Sequence, residues 1–139
     1  MKNILPIVLM SIAALLITFS CATVPKEPLS AGELRLLSLD APQGGILIAN
    51  VENWITINFV AAVNPVISRV CFQFLGDDLE CVDVRQKYMT YGSRANFRVP
   101  LLIPRGEGIL ACYAEYIRNG ETQRTNTVSS FVNSYEGFH

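Results

Sequence analysis

The cysteines and the single histidine are the residues of this 139-residue chain that could do the most chemistry. The histidine, His139, occupies the last position, where chains are commonly disordered. A catalytic triad or a histidine-containing zinc site in the folded core would need a histidine elsewhere, so we expect neither. Glycine-rich phosphate-binding motifs do not occur in the sequence. We therefore predict that the protein is not an enzyme and that it holds no metal and no cofactor.

Four carboxylates lie close together in the sequence, at Asp77, Asp78, Glu80 and Asp83. Their spacing differs from that of calcium-binding loops. No apolar pocket is evident beside them that would raise the pKa of one carboxyl, as glycoside hydrolysis requires. We interpret them as a solvated hairpin tip, with a calcium site or a hydrolase site as the alternatives.

The first twenty residues have the architecture of a secretory signal. Lys2 is followed by a long apolar stretch, and the small residue Ser20 precedes Cys21. The run Ile17-Thr18-Phe19-Ser20-Cys21 resembles the lipobox of bacterial lipoprotein precursors. This resemblance implies a signal peptide, residues 1–20, that is cleaved between Ser20 and Cys21. It also implies that Cys21 then carries the lipid anchor, palmitate included.

Two alternatives to lipidation are ordinary signal-peptidase cleavage near the same place and an uncleaved anchor helix. Pro6 interrupts the apolar stretch, which is also shorter than the roughly twenty residues of a membrane-spanning helix. The resemblance implies that two or more acyl chains hold the mature protein on a membrane, which gives stable anchoring. Ala22 stands where an aspartate commonly signals inner-membrane retention, so the resemblance implies the outer membrane of the cell envelope.

Residues 21–32 have the composition of a flexible tether after the lipidated cysteine. Pro25 and Pro28 stiffen the segment, and it has no apolar periodicity. Eleven residues in polyproline II conformation would reach roughly 34 Å. We expect this tether to separate the folded domain from the lipid headgroups.

From residue 33 onward the apolar pattern has a period of two, which is typical of strands. Ile55, Ile57 and Phe59 alternate with polar or smaller residues, and turn signals recur at short intervals. Asn119-Gly120 is a strong hairpin signal, and Gly76-Asp77-Asp78 indicates another turn. About seven short strands between turns predict an all-β fold, an antiparallel β-sandwich of the immunoglobulin-like type. We assign residues 33–133 to this sandwich and residues 134–139 to a C-terminal tail.

The order of features also resembles the bacterial immunoglobulin-like (Big-type) modules of cell-surface proteins. The matching residues are Ser38, Pro42 and Gly45, then Ile55-Thr56-Ile57, then Val70, Phe72, Phe74 and Gly76, and finally Gly108-Ile109-Leu110 with Ala114, Asn119 and Gly120. They span roughly residues 34–132. A resemblance of this kind implies a fold and does not transfer a function.

Cys71 and Cys81 flank the predicted turn at Gly76-Asp77-Asp78. Antiparallel pairing around this turn would place residues whose numbers sum to 152 opposite one another. That register pairs Cys71 with Cys81 and, on the same face, Arg69 with Asp83. We therefore predict a disulfide between Cys71 and Cys81, which would contribute about 3 kcal/mol.

Cys112 is then the odd cysteine of the folded region. Three alternatives remain open for it. The first is a buried unpaired thiol, the second is a bond to Cys71 on a neighbouring strand, and the third is an intermolecular bridge.

A binding surface, if the protein has one, would draw on aromatic and basic side chains near loops. Lys87, Tyr88, Tyr91 and Arg94 lie in a segment of weak strand character, and tyrosine offers contact area at low entropic cost. The alternative is that Tyr88 and Tyr91 pack over an open end of the sandwich. We interpret Trp54 as a core or rim residue.

The charge balance restricts the choice of partners. The chain has a formal net charge of −1, so it lacks the basic excess that nucleic-acid binding requires. We expect a lipid-anchored envelope protein whose immunoglobulin-like module is an interaction or structural component. The alternative is a small periplasmic ligand-binding or inhibitor lipoprotein that recognises a glycan or a cell-wall-active enzyme. The expected partners are the membrane, through the lipid, and an envelope protein or glycan.

Overall fold

A computed structural model describes residues 27–91 and 95–138. The signal peptide, its cleavage site and Cys21 lie outside these residues, as do Arg94 and His139. The strands are β1 (Leu34–Asp40), β2 (Ile46–Ile48), β3 (Glu52–Ala61), β4 (Val66–Phe74), β5 (Asp77–Asp78), β6 (Val82–Asp83), β7 (Met89–Thr90), β8 (Asn96–Leu102), β9 (Gly106–Arg118), β10 (Glu121–Arg124) and β11 (Val128–Tyr135). In the described part of the chain, no helix is long and apolar enough to span a bilayer.

The strands form two sheets, which confirms the prediction of an all-β sandwich. The smaller sheet has the order β1-β3-β8-β7. The larger sheet has the order β2-β11-β9-β4-β5, with β10 also paired to β9 and β6 also paired to β4. All pairs are antiparallel except β2 with β11. The two-residue strands β5, β6 and β7 are too short to show a period of two, which is why the expected number of strands was lower.

The core lies between the two sheets, because alternate side chains of each long strand point inward. On β3, Ile55, Ile57 and Phe59 are buried, whereas Trp54 and Thr56 point to the outer surface. The larger sheet contributes Phe72, Phe74, Leu110 and Val132 to the same core. Burial of each such side chain contributes about 1.5–3 kcal/mol.

Two tight turns fix the register of the hairpins. Asn119 and Gly120 both have positive φ, at 52° and 77°, as the sequence signal predicts. The other turn lies at Leu75-Gly76, with φ of 54° and 82°, and not at Gly76-Asp77-Asp78 as predicted. Both central residues of this two-residue turn must adopt positive φ, and Gly76 does so without strain.

The chain that follows the Asn119-Gly120 turn is not one continuous strand, because it is interrupted between β10 and β11. The Thr125 hydroxyl accepts a hydrogen bond from the Ala114 amide at 2.9 Å. The Asn126 side chain accepts from the Leu36 amide and donates to the Leu36 carbonyl, both at 2.9 Å. The interruption therefore serves as a side-chain link between the two sheets.

The described part of the predicted tether, residues 27–32, lies against the domain. The Arg35 guanidinium donates to the Glu27 carbonyl at 2.9 Å, and the Ser30 amide donates to the Glu33 carboxylate at 2.8 Å. The backbone hydrogen bond from Ser30 and the Arg35 side chain lower the pKa of Glu33. We call the end of the sandwich with Glu27 and the Asn119-Gly120 turn the proximal end. The opposite end, with the Leu75-Gly76 turn and Tyr135, is the distal end.

Candidate functional site

The predicted disulfide between Cys71 and Cys81 is confirmed. Their sulfur atoms are bonded, with the Cα atoms 4.2 Å apart. β6 pairs with β4 in the predicted register, with Arg69 opposite Asp83. The bond therefore fastens the returning chain of the hairpin to the larger sheet.

Cys112 is a buried, unpaired thiol within the described residues, which is the first of the three alternatives. It lies opposite Phe72 on β4, whereas Cys71 lies opposite Tyr113, so the two cysteines point to opposite faces of the sheet. Burial raises the pKa of the Cys112 thiol to about 12. A thiol that is neutral and enclosed is a poor nucleophile.

Of the predicted binding surface, the described residues Lys87, Tyr88 and Tyr91 do not form one cluster. Lys87 and Tyr88 lie on a single 3-10 turn, with the Lys87 Nζ atom 4.9 Å from the centre of the Tyr88 ring. Tyr91 packs edge-on against Phe59, with the ring centres 6.4 Å apart. Tyr88 and Tyr91 thus contact different rings.

Tyr88 forms one wall of a surface groove that sequence reasoning did not assemble. The ring of Trp54 meets it edge-to-face, with the centres 5.0 Å apart. The Arg98 guanidinium lies 5.4 Å from the centre of the Trp54 ring. We call this cavity of about 520 Å³ the Trp54 groove; its lining is Glu52, Trp54, Glu80, Cys81, Val82, Asp83, Arg85, Tyr88, Arg98, Pro100, Leu101 and Leu102.

Both sheets contribute to the Trp54 groove. Trp54 on β3 lies directly opposite Pro100 on β8, both on the outer side of the smaller sheet. Cys81 and Val82 bring the edge of the larger sheet to the other wall. The disulfide lies at this wall of the groove and bonds Cys81 to Cys71 on β4.

The rim of the Trp54 groove carries charges of both signs. Glu52 and Asp83 are exposed carboxylates, and Arg85 and Arg98 are exposed guanidinium groups. Aromatic rings beside a few polar groups are typical of sites that bind small ligands. The set suits a ligand with an apolar face and several hydroxyl or amide groups, because the carboxylates accept hydrogen bonds and the guanidinium groups donate them.

Of the four carboxylates predicted at the hairpin tip, Asp77 and Asp78 lie on β5, Asp83 lies on β6, and Glu80 lies between these strands. The Asp78 carboxylate accepts a hydrogen bond from the Gln73 side-chain Nε2 atom at 2.7 Å, and Asp77 is exposed. Glu80 and Asp83 lie beside the Trp54 groove. In residues 27–91 and 95–138 no group of three or more histidine, cysteine or acidic side chains is arranged to hold a metal ion.

A parity signal in the sequence could have identified Trp54 as a surface residue. It shares the parity of Thr56 and Asn58, whereas the core side chains of β3 are the odd-numbered ones. On β8, Arg98 likewise stands between the buried residues Phe97 and Val99, so its side chain points to the outer surface. The contact with Tyr88 could not be foreseen, because it depends on the connection between the two sheets.

The Trp54 groove is lined by aromatic and charged side chains. The Cys112 thiol, by contrast, is buried and unreactive. Comparison of the chain with protein-family models and with curated proteins found no match in either set.

Proposed function

We propose that this protein is a lipid-anchored component of the cell envelope whose immunoglobulin-like domain is a non-enzymatic interaction module. The anchor would be on Cys21, after cleavage between Ser20 and Cys21. The lipobox-like run at residues 17–21 supports the anchor. The outer membrane is the proposed location, because Ala22 follows the cysteine.

The strand order supports the immunoglobulin-like part of the proposal. Immunoglobulin sandwiches place strands A, B, E and D in one sheet and strands G, F and C, with C′ in some, in the other. Here β1, β3, β8 and β7 follow the first order, and β11, β9, β4 and β5 follow the second. The short parallel strand β2 corresponds to the continuation of strand A beside strand G.

The disulfide is the observation that carries the proposal. Disulfides form and persist in oxidising compartments and are rare in the cytosol. The bond between Cys71 and Cys81 is therefore independent support for export, which the N-terminal signal alone implies.

The position of Glu27 determines the orientation that the anchored domain would have relative to the membrane. Residues 27–32 lie against the proximal end, so only five residues separate Cys21 from the contact at Glu27. Six Cα-to-Cα steps span at most about 21 Å, which is shorter than the tether expected from the sequence. The proximal end would thus face the membrane, and the distal end would point away from it.

Metabolic labelling tests the anchor. Cells that express the full chain are grown with labelled palmitate, and we expect label on the wild-type protein and none on Cys21→Ser. Cys112→Ser is the matched control, since it removes a different cysteine and should keep the label. Undiminished labelling of Cys21→Ser would contradict the proposal.

The second candidate is a ligand-binding lipoprotein that recognises a glycan or a cell-wall-active enzyme. The Trp54 groove favours it, because the groove combines two aromatic rings with hydrogen-bonding groups of both kinds. This candidate shares the anchor with the first and differs in what the domain binds.

A further inference from the structure

A polar cavity opens at the proximal end of the sandwich, between the hairpin of β9 and β10 and residues 27–35. Its volume is about 410 Å³, and it shares no lining residue with the Trp54 groove. We call this cavity the proximal pocket. The lining side chains that bear on its chemistry are Glu27, Glu33, Arg35, Tyr116, Arg118 and Gln123.

Three polar side chains meet on the inner side of the β9-β10 hairpin. Gln123 on β10 lies directly opposite Tyr116 on β9. Arg118 is two residues beyond Tyr116, so it points to the same face of the strand. Tyr116 is the last buried residue of β9, and this face therefore changes from core to pocket between Tyr116 and Arg118. A phenol, an amide and a guanidinium group thus converge on the proximal pocket.

The hydroxyl of Tyr116 lacks a partner although the residue is only 4% exposed and belongs to the core cluster. Within residues 27–91 and 95–138, no group is hydrogen-bonded to it. Its oxygen is not sealed in the core either, because in this part of the chain the Ser134 hydroxyl is the one enclosed side-chain polar atom without a partner. Buried polar groups normally have partners. The Tyr116 hydroxyl is therefore available to a molecule in the proximal pocket.

Arg118 has no carboxylate partner in the described part of the chain, whereas Arg35 donates to Glu33 at 3.1 Å. Glu121 lies opposite Arg118 on β10, but the two side chains form no ion pair. The Arg118 side chain packs on Gly32, where an added Cβ would lie 3.4 Å from the Arg118 Cγ atom. The guanidinium is thus held beside the pocket and can pair with an oxyanion.

The charges of the lining favour a ligand with one negative charge. The inner side of the pocket has two carboxylates, on Glu27 and Glu33, and two guanidinium groups, on Arg35 and Arg118. Arg124 also borders the pocket, but its guanidinium lies on the outer side of the sheet. A phosphate monoester carries about 1.5 to 2 negative charges at pH 7, whereas a phosphodiester carries one. A balanced lining with one unpaired guanidinium therefore suits the diester.

We propose that the proximal pocket binds the phosphodiester of a phospholipid headgroup. Arg118 would pair with the phosphate oxygens, and the Tyr116 hydroxyl and the Gln123 amide would donate to the same group. The choice of a lipid rests on the proposed function, because only five residues separate Cys21 from the contact at Glu27 and the pocket would then face the headgroups. A weak site suffices there, since the anchor raises the effective concentration of lipid. This second contact would fix the orientation of the domain on the membrane.

A soluble headgroup tests the site. The full chain is kept in non-ionic detergent and titrated with glycerophosphoglycerol, a phosphodiester without acyl chains, while the Gln123 side-chain amide is observed by nuclear magnetic resonance. We expect a saturable shift. Inorganic phosphate should bind at least fivefold more weakly, because it is partly a dianion. No shift with glycerophosphoglycerol, or equal or tighter binding of inorganic phosphate, would overturn the proposal.

Two arginines of this hairpin form a matched pair of variants. Arg118→Gln removes a guanidinium group from the pocket, whereas Arg124→Gln removes one that covers the Tyr113 ring at 4.0 Å on the outer side. Both variants change the net charge equally, so the general attraction of an anion changes equally. We expect Arg118→Gln to raise the dissociation constant at least tenfold and Arg124→Gln to raise it less than about twofold. Equal effects of the two variants would overturn the site.

Tyr116→Phe covers the case in which Arg118→Gln fails to fold, because it keeps the buried ring. We expect it to raise the dissociation constant at least threefold without lowering the stability in urea, since the hydroxyl has no partner in the protein. An unchanged constant would contradict the proposal. Dioleoylphosphatidylglycerol added to the detergent should also shift the Gln123 amide, and dioleoylglycerol, which has no phosphate, should not. The soluble headgroup needs no anchor, so failure of this site and failure of palmitate labelling are distinguishable.

Discussion

The direction of a side chain decides the chemistry of the cysteines in this domain. Cys71 and Cys112 are on neighbouring strands, but Cys71 points to the outer side of the larger sheet and reaches Cys81, whereas Cys112 points into the core. Successive residues of a strand point to opposite faces of the sheet, so the position of each cysteine along its strand decides whether it faces the core or the outer surface. The sequence alone left three fates open for Cys112, because pairing between β4 and β9 is a long-range property.

The buried position of Cys112 predicts an unreactive thiol. With the pKa raised to about 12, the thiolate is a very small fraction at pH 8, and the side chain is also enclosed. We expect no alkylation of Cys112 by iodoacetamide at pH 8 in the native protein, and full alkylation in urea, measured by mass spectrometry. Ser129→Cys on exposed β11 is the control and should react at once. Rapid alkylation of Cys112 in the native protein would contradict the buried position of its side chain.

At the scale of elements, one part of the hairpin from β4 to β6 could be predicted from the sequence and another part could not. The register in which residue numbers sum to 152 holds at Arg69 and Asp83, so the disulfide was predictable. At β5 the pairs are one residue out of that register, with Phe74 opposite Asp77. The turn uses Leu75, which is seldom found at positive φ, and no local signal marks this choice.

The disulfide in this hairpin is expected to increase the free energy of unfolding of the domain. The bond closes a loop of eleven residues, with a sequence separation of 10 between its cysteines. Restriction of the unfolded chain by a loop of this length contributes about 3 kcal/mol. We expect the variant with both Cys71→Ala and Cys81→Ala to lose about that much free energy of unfolding, measured by urea denaturation.

Cys112→Ala is the control for this measurement, because it removes a buried sulfur atom without removing a crosslink. Reducing agent should lower the stability of Cys112→Ala as much as that of the wild type, and should not affect the double variant. A double variant as stable as the wild type would show that the bond does not restrict the unfolded chain.

At the scale of the whole molecule, the two sheets create surfaces that neither sheet has alone. The Trp54 groove needs β3 and β8 from one sheet, the chain around Cys81 from the other, and the connection that carries Tyr88. Sequence reasoning found Tyr88 and Lys87 but interpreted Trp54 as a core or rim residue. Which aromatic residues meet depends on how the chain crosses between the sheets, and hydrophobic periodicity does not encode that crossing.

Ligand binding in the Trp54 groove has a built-in reporter, because Trp54 is the only tryptophan in the chain. If the second candidate function is correct, a glycan identified on an array should change the fluorescence of Trp54 as it binds. Tyr88→Ala should raise its dissociation constant about tenfold, since loss of an aromatic contact costs about 1–1.5 kcal/mol. Tyr91→Ala is the matched control, because Tyr91 packs against Phe59 and should leave affinity unchanged. Glycan binding that is insensitive to Tyr88→Ala and silent in Trp54 emission would exclude the groove as its site.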